Sequence, residues 1–123
     1  MQVYYDKDAE YRPHYDGWEH NKSEKSLRSM KYGGQRLVTA LCYLNNIEEG
    51  GSTQFTKLKL DVNSEKGKLL IFKNVYSDTN VRHKNSLHAG MPVIKGEKYA
   101  FNLWFREHSY QELYEHHNPD YYK

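Results

Sequence analysis

Two runs in this 123-residue chain, residues 36–44 and 98–105, alternate as β-strands do yet carry bulky side chains on both faces. In the first, Thr39, Leu41 and Tyr43 share one face and Val38, Ala40, Cys42 and Leu44 the other. In the second, the faces are Lys98, Ala100, Asn102 and Trp104 against Tyr99, Phe101, Leu103 and Phe105. Such strands sit between layers or wrap a pocket and do not form a half-wet sheet. Other short runs bounded by Gly, Asn, Asp and Lys read as strands at residues 2–5, 11–15, 68–72, 86–89 and 91–93. Many short strands joined by polar turns indicate an all-β sandwich or barrel.

A chain of 14.7 kDa holds a single core. Its apolar fraction is only 37%, so the twelve tyrosines and other aromatics must supply much of the buried area. The formal charge of +2 gives no case for a nucleic-acid footprint. Cys42 is the single cysteine, which rules out an intrachain disulfide and fits a reducing compartment. No stretch has the length of a membrane helix, so a soluble, cytoplasmic protein is expected. Residues 18–32 are polar with little periodicity and read as a mobile loop, placed to act as a lid. Residues 77–84 read as a second polar loop, and residues 110–116 as a short helix before a frayed end. The expected organisation is a domain over residues 1–109 and a tail over 110–123.

Chemistry is suggested by His14-x-Asp16, answered by His88 in Ser86-Leu87-His88-Ala89-Gly90. Residues i and i+2 on a strand project to one face, so a single rigid segment aims both side chains at one metal. Two imidazoles and one carboxylate are the protein half of a facial iron(II) site, with positions left open for substrate chemistry. Lys98 shares a strand face with Ala100, Asn102 and Trp104, and an inward lysine needs an anionic partner. Each residue also has a plainer reading. A lone histidine is more often a hydrogen-bonded structural group, and Tyr and Thr are ordinary strand residues whose hydroxyls serve backbone partners. Arg36 either contacts substrate or forms a salt bridge, and His20, His83, His108, His116 and His117 read as exposed.

The spacing of these blocks is more specific than any one of them. Tyr5, then Tyr11-Arg12-Pro13-His14-Tyr15-Asp16, then Arg36-Leu37-Val38-Thr39-Ala40-Leu41-Cys42-Tyr43-Leu44-Asn45, then Gly50-Gly51-Ser52-Thr53-Gln54-Phe55 resembles the catalytic domain of prolyl 4-hydroxylases. So does Ser86-Leu87-His88-Ala89-Gly90-Met91-Pro92-Val93 followed by Gly96-Glu97-Lys98-Tyr99 and Asn102-Leu103-Trp104. The resemblance covers about residues 2–107. It implies a double-stranded β-helix (jelly roll) with little flanking helix. It also implies an Fe(II)- and 2-oxoglutarate-dependent dioxygenase that hydroxylates a prolyl residue in a peptide or protein. Such an enzyme consumes O2 and releases succinate and CO2, with ascorbate as a candidate further cofactor.

By that resemblance His14, Asp16 and His88 are the iron ligands, and Lys98 pairs with the distal carboxylate of 2-oxoglutarate. Tyr5, Thr39 and Tyr43 match the cosubstrate pocket, and Trp104 matches an aromatic beside the metal. Asp16 argues for hydroxylation over halogenation, because halogenases lack the carboxylate. Two departures stand out: Thr56 follows Phe55 where relatives have proline, and family domains begin with elements upstream of the Tyr5 strand. The chain therefore reads as N-terminally shortened or as a stripped-down member. Rival readings keep the chemistry on another side chain or a small molecule, or keep only a non-catalytic jelly-roll binding module.

Overall fold

A computed structural model describes residues 11–20, 23–31 and 33–109, together with the backbone of residues 2–5. The expected helix at residues 110–116 and the tail 110–123 lie outside the described residues. Within them the chain is almost wholly antiparallel β-sheet. Strands β1 (Gln2–Tyr5), β10 (Lys98–Arg106), β3 (Arg36–Tyr43) and β7 (Leu69–Lys73) form one four-stranded sheet in that spatial order. Strands β2 (Tyr11–His14), β8 (His88–Gly90), β5 (Thr53–Phe55) and β6 (Leu60–Val62) form a second. A two-stranded ribbon pairs β4 (Glu49–Gly50) with β9 (Val93–Lys95). This is the jelly-roll arrangement, in which the chain passes repeatedly between two sheets.

The larger sheet is organised around its two long strands, β3 and β10. β3 lies between β10 and β7, with Thr39 opposite Trp104 on one side and Phe72 on the other. That register puts Thr39, Leu41, Ala100, Asn102 and Trp104 on the inner face, where they line a cavity of about 510 Å³. The outer face is different from expectation. Leu69, Ile71, Leu103 and Phe105 are all at least half exposed, so only one face of this sheet is covered among the described residues.

The interior is unusually polar. Tyr43, Val93, Phe55 and the small residues Ala40, Ala89 and Ala100 are buried, but so are Asp16, Gln35, Thr39, Asn74, His88 and Lys98. Buried polar groups require partners, so this interior is built around a site. Phe55, Phe72 and His88 pack ring against ring at 4.9–5.7 Å, joining the two sheets beside it.

Residues 18–32 correct the expectation of a mobile loop, because they contain helix α1 (Glu24–Lys31). Ser23 caps it: its hydroxyl accepts from the Ser26 amide at 3.2 Å, and its carbonyl accepts from Leu27 at 3.0 Å. Glu24 in the first turn and Arg28 and Lys31 in the last complement the helix dipole, and Glu24 pairs with Arg28. The segment is also tied down. Gln35, fully buried, accepts from the Trp18 amide and donates to its carbonyl, while Arg106 donates to the carbonyls of Ser29 and Gly34.

Candidate metal centre and active site

His14 is the last residue of β2, and it stands opposite His88, the first residue of β8. Their rings lie 4.3 Å apart. Asp16 sits in a bend just past the strand rather than on it. The bend returns its carboxylate to the two imidazoles, with Oδ1 3.2 Å from His14 Nε2 and 3.4 Å from His88 Nε2. One ligand atom from each residue fits within 4.8 Å of the others.

The proton positions follow from the outer partners. His14 Nδ1 lies 2.8 Å from the Arg12 carbonyl, and His88 Nδ1 lies 2.7 Å from the Ser86 carbonyl. A carbonyl only accepts, so each Nδ1 carries a proton and each Nε2 faces inward, donating to Asp16 when protonated and offering a lone pair when not. Two lone pairs and a carboxylate oxygen at these distances repel one another unless a proton or a cation lies among them. Asp16 shows the same demand. Burial pushes its pKa up, but hydrogen bonds from His14, His88 and Thr39 hold it far below the usual carboxylate range. Burial likewise opposes a charge on His14, yet Asp16 and the Arg12 carbonyl raise its pKa. A divalent cation satisfies all three groups at once. Two imidazoles and one carboxylate leave half of an octahedral shell open, which suits non-haem Fe(II), and ring N–H groups held by carbonyls are the usual outer support.

Asp16 Oδ2 is turned away from the histidines. It accepts from Thr39 Oγ1 at 2.7 Å and from Trp104 Nε1 at 3.3 Å. Arg36 lies between two indoles, 4.5 Å from the Trp18 ring and 4.0 Å from that of Trp104. Its guanidinium also reaches the Asp16 carbonyl at 3.4 Å.

The remaining residues expected from the sequence are placed as follows. Lys98 lines the same cavity with its side chain inward and 3% exposed, and burial lowers its pKa to about 8. Tyr43 stands behind the wall: its hydroxyl shares a 2.6 Å hydrogen bond with Thr53, which lines the cavity, and its ring centre is 5.8 Å from Lys98 Nζ. Tyr5 pairs with Lys98 across β1 and β10, and its side chain lies outside the described residues. His83, expected to be exposed, is half-buried and stacks on Tyr76 while accepting from the Asn85 amide.

Strand β5 was not anticipated, and it brings Thr53 and Phe55 to the site. Asn74 was also missed. It is fully buried and donates to Thr39 Oγ1 at 2.8 Å. The signal that could have found it is an asparagine just past the apolar run 69–72.

Comparison with known proteins agrees with this geometry. Residues 1–106 match the 2OG-Fe(II) oxygenase superfamily. A protein of Acanthamoeba polyphaga mimivirus, whose name places it among the prolyl 4-hydroxylases, is 40% identical over 100 residues, covering 81% of this chain and 41% of its own. Prolyl 4-hydroxylase 5 of Arabidopsis thaliana is 30% identical over 128 residues, covering 89% of this chain and 42% of its own. Among solved structures, the viral collagen prolyl hydroxylase of Paramecium bursaria Chlorella virus-1, in its 2OG complex, superposes with a TM-score of 0.75. It is 34% identical, and the match covers 88% of this chain and 57% of that one. The chain thus spans well under two thirds of the length of these relatives. By fold, by the match over nearly its whole length and by its relatives, the chain belongs to the 2OG-Fe(II) oxygenase superfamily, as a domain of the prolyl 4-hydroxylase type.

Proposed function

We propose that this domain is an Fe(II)- and 2-oxoglutarate-dependent dioxygenase that hydroxylates a prolyl residue in a peptide or protein, using O2 and releasing succinate and CO2. The observation that carries the reading is the convergence of His14, Asp16 and His88 on one point of a cavity that also holds the buried cation Lys98. When bound, the iron supplies the oxidative chemistry that links loss of CO2 from the cosubstrate to hydroxylation of an unactivated C–H bond.

The chain's own residues position and shield. His14 Nε2, His88 Nε2 and Asp16 Oδ1 hold the metal, and Thr39 and Trp104 keep the second carboxylate oxygen of Asp16 turned away from it. Lys98 holds the far carboxylate of 2-oxoglutarate: an ammonium buried this deeply is stabilised by an anion of matching reach. Tyr43 and Thr53 brace the wall beside that lysine. Tyr5, opposite Lys98 in the sheet, belongs to the same pocket in this reading. A soluble, cytoplasmic location is part of the proposal. The lone Cys42 supports it, and among the described residues no helix is long and apolar enough to cross a membrane.

The test is anaerobic binding of Fe(II) and then 2-oxoglutarate. Succinate release is then followed with a panel of proline-containing peptides, with and without ascorbate. Succinate and hydroxyproline formed together, and lost together in Asp16→Ala, are expected. Succinate release stimulated by a small molecule and by none of the peptides would overturn the substrate assignment, and failure to bind metal would overturn the activity.

A further inference from the structure

Asp16 is held by a chain of buried side chains that runs through Thr39 to Asn74. Thr39 Oγ1 contacts Asp16 Oδ2 at 2.7 Å, and Asn74 Nδ2 contacts Thr39 Oγ1 at 2.8 Å. Exposures are 5% for Asp16, 1% for Thr39 and 0% for Asn74, so water does not compete along the path. A hydroxyl has one proton to give. An ionised metal-binding carboxylate can only accept, so the Thr39 proton must point at Asp16. The other neighbour of Thr39 must then donate, which only the NH2 side of the Asn74 amide can do. The opposite amide orientation would place Oδ1 against Thr39, draw the hydroxyl proton to itself and leave Asp16 Oδ2 without its closest donor.

The backbone at Asn74 is itself held in place. Its N–H donates to the Leu37 carbonyl at 2.9 Å, and its carbonyl accepts from the His83 amide at 2.8 Å. Gly17, directly after Asp16, packs on the same residue: a Cβ at position 17 would lie 3.3 Å from the Asn74 carbonyl oxygen. Asn74 thus touches both the bend that carries Asp16 and the threonine that orients it.

We propose that Asn74 is a positioning residue for the metal centre: its amide sets the direction of the Thr39 hydroxyl proton, and through Thr39 it aims Asp16 Oδ1 at the metal. This rests on the metal-binding reading of His14, Asp16 and His88. It gives a role to a residue that touches neither metal nor substrate. It also assigns Thr39 a task beyond lining the cavity.

The experiment is anaerobic titration with Co(II) alone, which needs no turnover, on the wild type, Asn74→Leu, Thr39→Val, Thr39→Ser and the Asn74→Leu/Thr39→Val double variant. Circular dichroism checks the fold of each. Removing an outer support of a metal ligand weakens metal affinity by about tenfold or more. Asn74→Leu is expected to show such a loss and Thr39→Val one at least as large, while Thr39→Ser stays within about twofold of wild type by the same scale. The double variant is expected to bind no more weakly than Thr39→Val, because the amide acts only through the hydroxyl. If Asn74→Leu does not fold, Asn74→Ala, which removes the same donor without bulk, is read in its place. An unchanged affinity in the Asn74 variant, or a loss that multiplies in full with that of Thr39→Val, would overturn the proposal while leaving the metal site intact. A wild type that fails to bind Co(II), or an Asp16→Ala variant that binds it as well, would instead overturn the metal reading itself.

Discussion

Lys98 makes the active site a liability for folding, and the size of that liability can be measured. Burial lowers its pKa from 10.5 to about 8. The unfolded chain therefore binds the proton more tightly than the folded one, and between those two values it holds more protons. Stability from this group accordingly rises as pH climbs from about 8 towards 10.5, and at neutral pH the buried charge acts against the fold. At roughly 1.4 kcal/mol per pH unit, the cost near pH 7 is about 3 kcal/mol, a large share of the margin of a domain this size. Lys98→Met keeps an unbranched apolar stem and deletes the charge.

The variant is expected to be more stable than wild type by about 3 kcal/mol at pH 7, and by about 2 kcal/mol at pH 9, where the wild-type lysine has largely released its proton. Urea unfolding of both proteins at both pH values gives the difference, and groups that titrate in both cancel. The same variant should lose the stabilisation that 2-oxoglutarate confers on the metal-loaded wild type, because the anion no longer meets a cation. Equal stabilities, or a difference that does not shrink with pH, would show that Lys98 is not a desolvated charge. The cosubstrate role drawn from its burial would then lose its basis.

Three further perturbations test other parts of the structure. Gln35→Leu strips partners from the Trp18 backbone and from the Asn80 carbonyl in a fully buried position, and should cost about 2–4 kcal/mol in chemical unfolding. Thr56→Val removes a buried hydroxyl that has no partner among the described residues, and should raise stability by about 1 kcal/mol, read as a higher melting temperature. Replacing α1 by a short flexible link should uncouple the proposed reaction, with succinate still formed while hydroxylated peptide falls. Normal coupling in that variant would make the helix ordinary surface structure.

The residues proposed to carry the chemistry could be picked from the sequence because their spacing is set by rigid geometry. The alternation in β3 and β10 named the inner faces correctly, and those faces line the cavity. Helix α1 was missed because eight residues with only Leu27 and Met30 apolar show no period, yet its Ser23 cap and the Glu24–Arg28 pair were in plain view. Strands β4, β5 and β6 are two or three residues long, too short for alternation to register, and their pairing is decided by neighbours distant in sequence. Asn74 could be noticed beside the apolar run 69–72 but not paired, because its partner Thr39 lies thirty-five residues away.

The division of labour between the sheets explains why so much of the site depends on such distant pairs. Both imidazoles come from the smaller sheet, on β2 and β8, and Asp16 from the bend beside them. Among the described residues, every side chain that bonds Asp16 Oδ2 comes from the larger sheet, Thr39 from β3 and Trp104 from β10, with Asn74 behind Thr39 just after β7. Lys98 opens β10 in that same sheet. The proposed metal ligands and the donors to Asp16 therefore meet only when the two sheets face each other in register. Asp16 is the one ligand bonded by both sides, and a carboxylate left without the far donors would stay buried and charged against two lone pairs. In the proposed metal site, sheet packing and metal binding are in this way coupled through a single side chain, so loss of either is expected to weaken the other. The ring contacts of Phe72, from the larger sheet, with Phe55 and His88, from the smaller, supply the apolar half of that coupling.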